Sequence, residues 1–309
     1  MATPYVPCIK RLFKLVITLA IIIAIAAVAI VIVGNLKVST LGLDTLEIAE
    51  GDTMSDAGLA DEKFFVVLKS AWSLCRADEA DFVVNPYDSD DRENVNAIFS
   101  PLPQVGGVPG YATLLTTPAT LNKGDGYLYR IEEGMLTYVF EQVFASSSSS
   151  ISGLSALGLR AKSVVVDKEN MKFEISFGVD ITAISSTLPD IKIFKWPETA
   201  YLNFSASMSV DNSGRLSLSE RTIDINGLDE ASTKAIVTAL FKIAHSDVTG
   251  DYIENISSSV GDAVETVVSN IGKIGNASID GASQMITSLD SKEYGEKGVL
   301  DGGFQFLMN

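Results

Sequence analysis

The chain begins with one long apolar run and continues with shorter segments in which apolar and polar positions alternate periodically. Residues 15–34 (LVITLAIIIAIAAVAIVIVG) carry no charge, and thirteen of these twenty residues are Leu, Ile or Val. A helix of about 20 apolar residues spans the roughly 30 Å hydrocarbon core of a bilayer. The run therefore predicts an N-terminal transmembrane anchor.

The charges that flank this run predict its orientation. Lys10, Arg11 and Lys14 precede it, whereas only Lys37 follows closely. Because Lys and Arg are retained on the cytoplasmic side, we expect residues 1–14 to form a cytoplasmic tail of a single-pass cell-membrane protein. A cleaved signal peptide starts similarly, but its apolar region usually has only about 7–15 residues. We favour an uncleaved anchor with the bulk of the chain extracytoplasmic.

Helical periodicity appears in four segments after the anchor. Residues 35–60 are mixed and predict a stalk, and from Asp61 apolar residues recur at spacings of three and four. The apolar positions of this first helix are Phe64, Phe65, Val67, Leu68, Ala71, Trp72 and Cys75. Residues 78–126 are acidic and then proline-containing, and predict a long loop with short extended pieces. Three further helices are predicted. One covers about 127–145, one begins after the N-cap candidate Asp229, and one covers about 251–272.

Strict alternation with a period of two predicts antiparallel strands in the second half of the chain. Residues 171–181 place six apolar side chains on one face, and the preceding segment RAKSVVVD pairs with them through the turn Asp167–Asn170. The pattern recurs at 201–210, and the turn at 211–214 leads to a further strand through Leu216, Leu218, Ile223 and Ile225. The C-terminal GVLDGGFQFLMN predicts a closing strand. The ectodomain is therefore predicted to be α+β.

The charge of the ectodomain restricts its partners. Three of the 23 basic residues precede the anchor, so 20 follow it together with all 39 acidic residues, a net charge of −19. Such a surface repels nucleic acid, and we expect no nucleic-acid partner. Cys75 is the only cysteine after the anchor, so the ectodomain has no intrachain disulfide to stabilise it.

The sequence carries no recognisable catalytic or cofactor motif. Its only histidine, His245, follows a predicted helix, where a structural role is more common than catalysis. The acidic positions Asp88, Asp90, Asp91 and Glu93 resemble half a calcium loop but lack the central glycine and the terminal glutamate. Asn-x-Ser sequons occur at Asn203, Asn255 and Asn276. We therefore predict no enzyme activity, no metal site and no cofactor.

One succession of elements resembles a known family. After the anchor come the helix LYRIEEGMLTYVFEQVF, the hairpin SVVVDKENMKFEISFGVDI, the strand pair YLNFSASMSVDNSGRLSLSERTIDINGL and the helix DEASTKAIVTALFKIA. This order resembles the YpmS-like family of membrane-anchored extracytoplasmic proteins and, more distantly, the tubular lipid-binding (TULIP-like) architecture. The patterns themselves divide the chain into a stalk, helix and Pro-rich loop region at 35–126 and an α+β extracytoplasmic domain at 127–309. The resemblance implies a curved antiparallel sheet packed on amphipathic helices. It also implies the binding of a lipid or another apolar ligand.

Two functional hypotheses follow. In the first, a lipid or other apolar ligand binds in a groove between sheet and helix. Its binding residues would be those of the apolar strand face: Phe173, Ile175, Phe177, Phe204 and Met208. The alternative is a non-enzymatic envelope structural or assembly protein that acts through contacts with an envelope protein partner. If helices cover the apolar strand face and it serves only as the core, the alternative holds. The periodicity of the sequence does not distinguish a covered face from a ligand groove.

Overall fold

The computed structural model of the chain describes residues 31–49, 52–99, 110–119, 128–146, 158–182, 197–243, 252–275 and 298–307. The predicted anchor at 15–34 lies outside these ranges except for its last four residues, which are helical. Within the described ranges, no helix has the length and apolarity needed to cross a membrane.

The described elements are helices and antiparallel strands. In chain order they are β1 (Glu47–Ala49), β2 (Asp52–Thr53), α1 (Phe64–Arg76), α2 (Ser89–Ile98), β3 (Leu128–Glu132), α3 (Glu133–Ser146), β4 (Arg160–Asp167), β5 (Lys172–Asp180), β6 (Thr199–Val210), β7 (Leu216–Ile225), α4 (Glu230–Ile243), α5 (Tyr252–Ile271), β8 (Lys273–Ile274), β9 (Val299–Leu300) and β10 (Gly303–Leu307). The predicted α+β class is confirmed.

The main sheet is a four-stranded antiparallel meander in the order β4-β5-β6-β7. Its strands are those that the period-two segments predict, and the register pairs Ile175 with Phe204 and Phe204 with Ile223. Because successive side chains of a strand point to opposite faces, these pairs place the apolar side chains together on one face. The predicted strands at 160–167, 171–181, 201–210 and 216–225 are confirmed to within two residues at each end.

Two helices cover the apolar face of this sheet. Helix α3 packs on β4, and α5 packs on β7 and β6. Helix α3 is buried on most of its circumference, and its Phe140 and Phe144 lie against β5. Helix α5 buries a stripe that includes Ile256, Val260, Val264 and Val267. The helix predicted at 251–272 is thereby confirmed.

A second sheet corrects the prediction of one helix over 127–145. Residues Leu128–Glu132 form strand β3, which pairs with β10 in a sheet of order β3-β10-β8, and the helix begins only at Glu133. The apolar residues Leu128 and Ile131 fit a helical stripe, but β10 offers a complete backbone partner across this segment. The predicted closing strand is confirmed as β10, preceded by β9.

The prediction of a loop over 78–126 is wrong at residues 89–98, which form α2. The Asp88 carboxylate accepts from the N–H groups of Asp90 and Asp91, and the Asp91 carboxylate accepts from the Asp88 N–H. This reciprocal capping satisfies amide donors that the first turn of a helix leaves unpaired. Val95 and Phe99 are buried in the same core as α3, so residues before 127 contribute to that core.

Candidate functional site

The five side chains predicted to line a ligand groove lie inside the main core. Phe173, Ile175, Phe177 and Phe204 have no exposed surface, and Met208 is 4% exposed. The ring of Phe177 meets that of Phe144 on α3 at 4.8 Å between centroids, in an edge-to-face arrangement. Phe140 and Phe144 of α3 cover Phe173 and Phe177 directly through ring contacts. The role of the five side chains in ligand binding stays a prediction.

The β4 edge of the meander is closed by polar side chains. The Val164 N–H donates to Thr137 Oγ1 at 2.9 Å, and the Val166 N–H donates to Glu133 Oε1 at 2.6 Å. Asn85 Nδ2 donates both to Glu133 Oε2 and to the Val164 carbonyl, at 2.6 and 3.2 Å. Burial raises the pKa of Glu133. These bonds block the addition of another strand at this edge.

The β7 edge instead borders an open groove of about 820 Å³. Strand β7 forms one wall of the groove, and α4 and the first turns of α5 form the others. Its lining residues are Leu218, Ser219, Glu220, Arg221, Thr222, Ile223, Asp224, Leu228, Glu230, Lys234, Tyr252, Ile253, Glu254, Ser257 and Ser258. We call this the β7 groove. Its volume lies in the range of small-molecule sites, but its lining is mixed rather than apolar.

A β-bulge shapes the middle of the groove. Ser205 pairs with Thr222 and Ser207 with Ser219, so Glu220 and Arg221 together stand opposite a single residue of β6. Glu220 has a φ of 50°, in the left-handed region that non-glycine residues rarely adopt. Bulges bend a strand and redirect its side chains, and this bulge sends Arg221 towards α5.

The Arg221 guanidinium joins β7 to α5. It donates to Asp262 at 2.6 Å, to Glu265 at 2.7 Å and to the Ser258 carbonyl at 3.1 Å. Glu265 also accepts from the Leu218 N–H at 2.6 Å. The guanidinium lies against Gly261, where a Cβ would approach Nε to 2.5 Å. Because two carboxylates and two carbonyls use its donors, Arg221 has a positioning role and is not a free anion receptor.

The rest of the β7 groove is acidic, with one unpaired polar group. Asp224, Glu230 and Glu254 line it together with Glu220, against the single additional cation Lys234. Ser257 is 5% exposed, and its hydroxyl has no hydrogen-bond partner within the described part of the chain. A buried hydroxyl without a partner costs free energy, and a bound molecule can satisfy it. The groove therefore favours a neutral or cationic polar partner.

The remaining candidates have structural explanations or lie elsewhere. Within the ranges that the structure describes, no group of three or more His, Cys, Asp and Glu side chains can hold a metal ion. Asp88 and Asp91, from the half calcium loop, cap α2. The Asn203 side chain is half-buried and bonds Ser176 and Asp224, whereas Asn255 is exposed on α5. His245 and Asn276 lie outside the described residues.

Comparison of the chain with protein-family models, with curated proteins and with solved structures finds no match. The resemblance to the YpmS-like family and to the TULIP-like architecture stays a prediction.

Sequence reasoning missed the β7 groove, although one signal pointed to it. The apolar positions of β7 are even-numbered at Leu216 and Leu218 and odd-numbered at Ile223 and Ile225. A strand that keeps one face buried changes parity only where an extra residue is inserted. The shift therefore locates the bulge at Ser219–Thr222, but it does not reveal that Arg221 reaches α5.

Proposed function

We propose that this chain is a single-pass, membrane-anchored extracytoplasmic protein that acts without catalysis, by binding a protein partner in the β7 groove. The junction between the apolar run and the folded body carries the anchoring part of the proposal. Residues 31–34 are helical, and only four residues later Val38 is fully buried, its N–H donating to the Glu62 carbonyl at 3.0 Å. A segment apolar enough to span a bilayer thus leads into the body without a free linker.

The binding part of the proposal rests on the β7 edge. The Asn226 N–H donates to the Tyr201 carbonyl at 2.8 Å, so even-numbered residues of this part of β7 face β6. The alternation of an antiparallel ladder then places the backbone groups of Ile223 on the groove side. Extended segments of partner proteins add to sheet edges through such groups. With the acidic lining, this favours an extended, neutral or basic segment of a protein.

Site-specific photo-cross-linking in intact cells tests this proposal. A benzoylphenylalanine at Glu254, which is exposed and lines the groove, should give a discrete adduct of constant mass. The matched control replaces Ser209, which is exposed on β6 and lies outside the groove lining. An adduct at Glu254 together with none at Ser209 supports binding in the β7 groove. Equal adducts from both positions would contradict it.

A second candidate is the carriage of an apolar ligand between the sheet and α3. The aromatic side chains Phe140, Phe144, Phe173 and Phe177 on the facing surfaces favour it, together with the resemblance to lipid-binding proteins. Native mass spectrometry of the full chain released from its membrane in detergent tests it. A bound lipid retained at constant stoichiometry supports the carrier, and ligand-free protein in every preparation removes it.

A further inference from the structure

Helix α1 exposes an apolar stripe instead of burying all its apolar residues. Phe65, Leu68 and Trp72 are 54, 45 and 46% exposed and follow one another at spacings of three and four. These spacings place the three side chains on one face of a helix. The opposite face, with Val66 and Val67, packs on Ala235 and Ala239 of α4. The helix therefore presents apolar side chains on two faces, one packed on α4 and the other exposed.

The exposed stripe begins where the predicted transmembrane run ends. A Cβ on Gly34 would lie 3.1 Å from Cβ of Phe65 and 3.2 Å from its ring. The Phe64 N–H donates to the Leu36 carbonyl at 2.9 Å, and Lys37 forms a β-bridge with Lys63. Val31, Ile32 and Val33 are themselves exposed. The first turn of α1 is thus held at the level where the chain leaves the apolar run.

The residues that border the stripe suit a membrane–water interface. The Arg76 guanidinium carbon lies 5.4 Å from the centroid of the Trp72 ring. Tryptophan is enriched at the headgroup level of membranes. Long basic side chains keep their apolar stems in the acyl region while the charged ends reach the phosphates. The stripe and its border match an interfacial helix.

We infer that α1 lies on the outer surface of the bilayer, with Phe65, Leu68 and Trp72 inserted among the lipid headgroups. This inference rests on the proposed anchoring, because the anchor brings the stripe to the lipid. The helix would then hold the body at a fixed height and orientation, since α1 is docked on α4 through Val66 and Val67. A single span with a flexible linker would leave that orientation free.

Quenching of Trp72 fluorescence by brominated lipid tests the inference. The chain has two tryptophans, so the Trp196→Phe variant leaves Trp72 as the only one. The full chain is reconstituted in phosphatidylcholine vesicles, either unmodified or brominated on the acyl carbons next to the headgroup. An interfacial helix lies about 5–10 Å into the headgroup and acyl boundary, so we expect roughly a twofold loss of emission in the brominated vesicles.

A matched pair of variants shows whether the stripe causes the effect. Phe65→Gln with Leu68→Gln, added to Trp196→Phe, should shift the Trp72 emission to longer wavelength and remove most of the quenching. The control Val84→Gln changes an exposed apolar residue next to Asn85 at the opposite edge of the sheet, and should leave the quenching unchanged. Both sets alter exposed positions, and circular dichroism checks that the fold is retained.

The remaining outcomes contradict the inference in distinguishable ways. If Trp72 emits at the wavelength of tryptophan in water and is not quenched, the inference is overturned. If the same protein still resists extraction by carbonate, the proposed anchoring stands. A short-wavelength emission that is insensitive to bromine and is lost on dilution of the protein in the vesicles shows a second copy on the stripe, which also overturns it. Release of the protein by carbonate removes the anchoring and this inference together.

Discussion

The ammonium group of Lys69 on α1 donates a hydrogen bond to the carboxylate of Asp229, the residue that caps α4. Asp229 also accepts from the Ser232 N–H at 2.9 Å, which confirms the predicted N-cap. The pair therefore joins α1 to the body at the point where α4 begins.

The two halves of this pair should differ in their effect on stability. Both side chains are about half exposed, so Lys69→Met should lower the free energy of unfolding by at most about 1 kcal/mol. Asp229→Ala also removes the cap and should cost about 1 kcal/mol more. Urea unfolding followed by circular dichroism measures both. A larger effect for Lys69→Met than for Asp229→Ala would contradict the assignment of the cap.

The same pair predicts a dependence on pH. The hydrogen bond from Lys69, together with those from Ser232, lowers the pKa of Asp229 from 3.8 to about 2. A pKa that is lower in the folded state stabilises the fold above the unfolded value and loses that effect as the pH falls. The difference in unfolding free energy between the parent protein and Lys69→Met should therefore be full above pH 3.8 and be lost as the pH falls through about 2. A difference that is constant over this interval would refute the ion pair.

Because polar side chains close the β4 edge, the hydroxyl of Thr137 should contribute to the stability of the fold. Thr137 has no exposed surface, its Oγ1 accepts from the Val164 N–H, and its one hydroxyl hydrogen is shared between the Asn85 and Glu133 carbonyls. Thr137→Val keeps the shape but leaves a buried N–H unpaired, which should cost about 1–3 kcal/mol. The control Thr222→Val alters an exposed residue of β7 and should change stability by less than about 0.5 kcal/mol. Equal effects in urea unfolding would show that the hydroxyl does not protect the edge.

Arg221 and Gly261 should act as one unit. Arg221→Met removes the guanidinium that donates to the carboxylates of Asp262 and Glu265. Gly261→Ala places a methyl group where that guanidinium lies. Each change alone should destabilise the fold, but the double variant should be less destabilised than the sum, because the methyl group then meets no guanidinium. A double-mutant cycle in urea should give a coupling of about 0.5–3 kcal/mol. Additive effects on the free energy of unfolding would show that the two residues do not interact.

The sheet could be predicted because its information is local. In β5 and β6 every second residue is apolar, and this alternation alone fixes which face is buried. Strand β3 could not be predicted in this way, because its partner β10 lies about 170 residues further along the chain, and a helical pattern covers the same residues. Helix α2 carries a local signal in Asp88 and Asp91, but the neighbouring prolines and acidic residues favour a loop when composition is weighed first.

The candidate sites show where sequence reasoning stops. The alternation identifies Phe173 and Phe204 as inward-facing but does not say whether a helix or a ligand covers them, and in the structure α3 and α5 cover the sheet. In α1 the spacing shows a broad apolar surface, but only the packing on α4 distinguishes the half-buried Val66 and Val67 from the exposed Trp72. These distinctions depend on contacts between distant segments.

The sidedness of the chain tests the central claim most directly. Two single-cysteine forms are needed: Cys75→Ser, which keeps Cys8, and the triple variant Cys8→Ser, Cys75→Ser and Ser209→Cys, whose new thiol is exposed on β6. A membrane-impermeant maleimide is added to sealed cells before and after lysis. An anchor with its basic end in the cytoplasm predicts that residue 209 is labelled in sealed cells and Cys8 only after lysis. Labelling of residue 209 only after lysis, or a mature chain that begins after residue 34, would contradict the account.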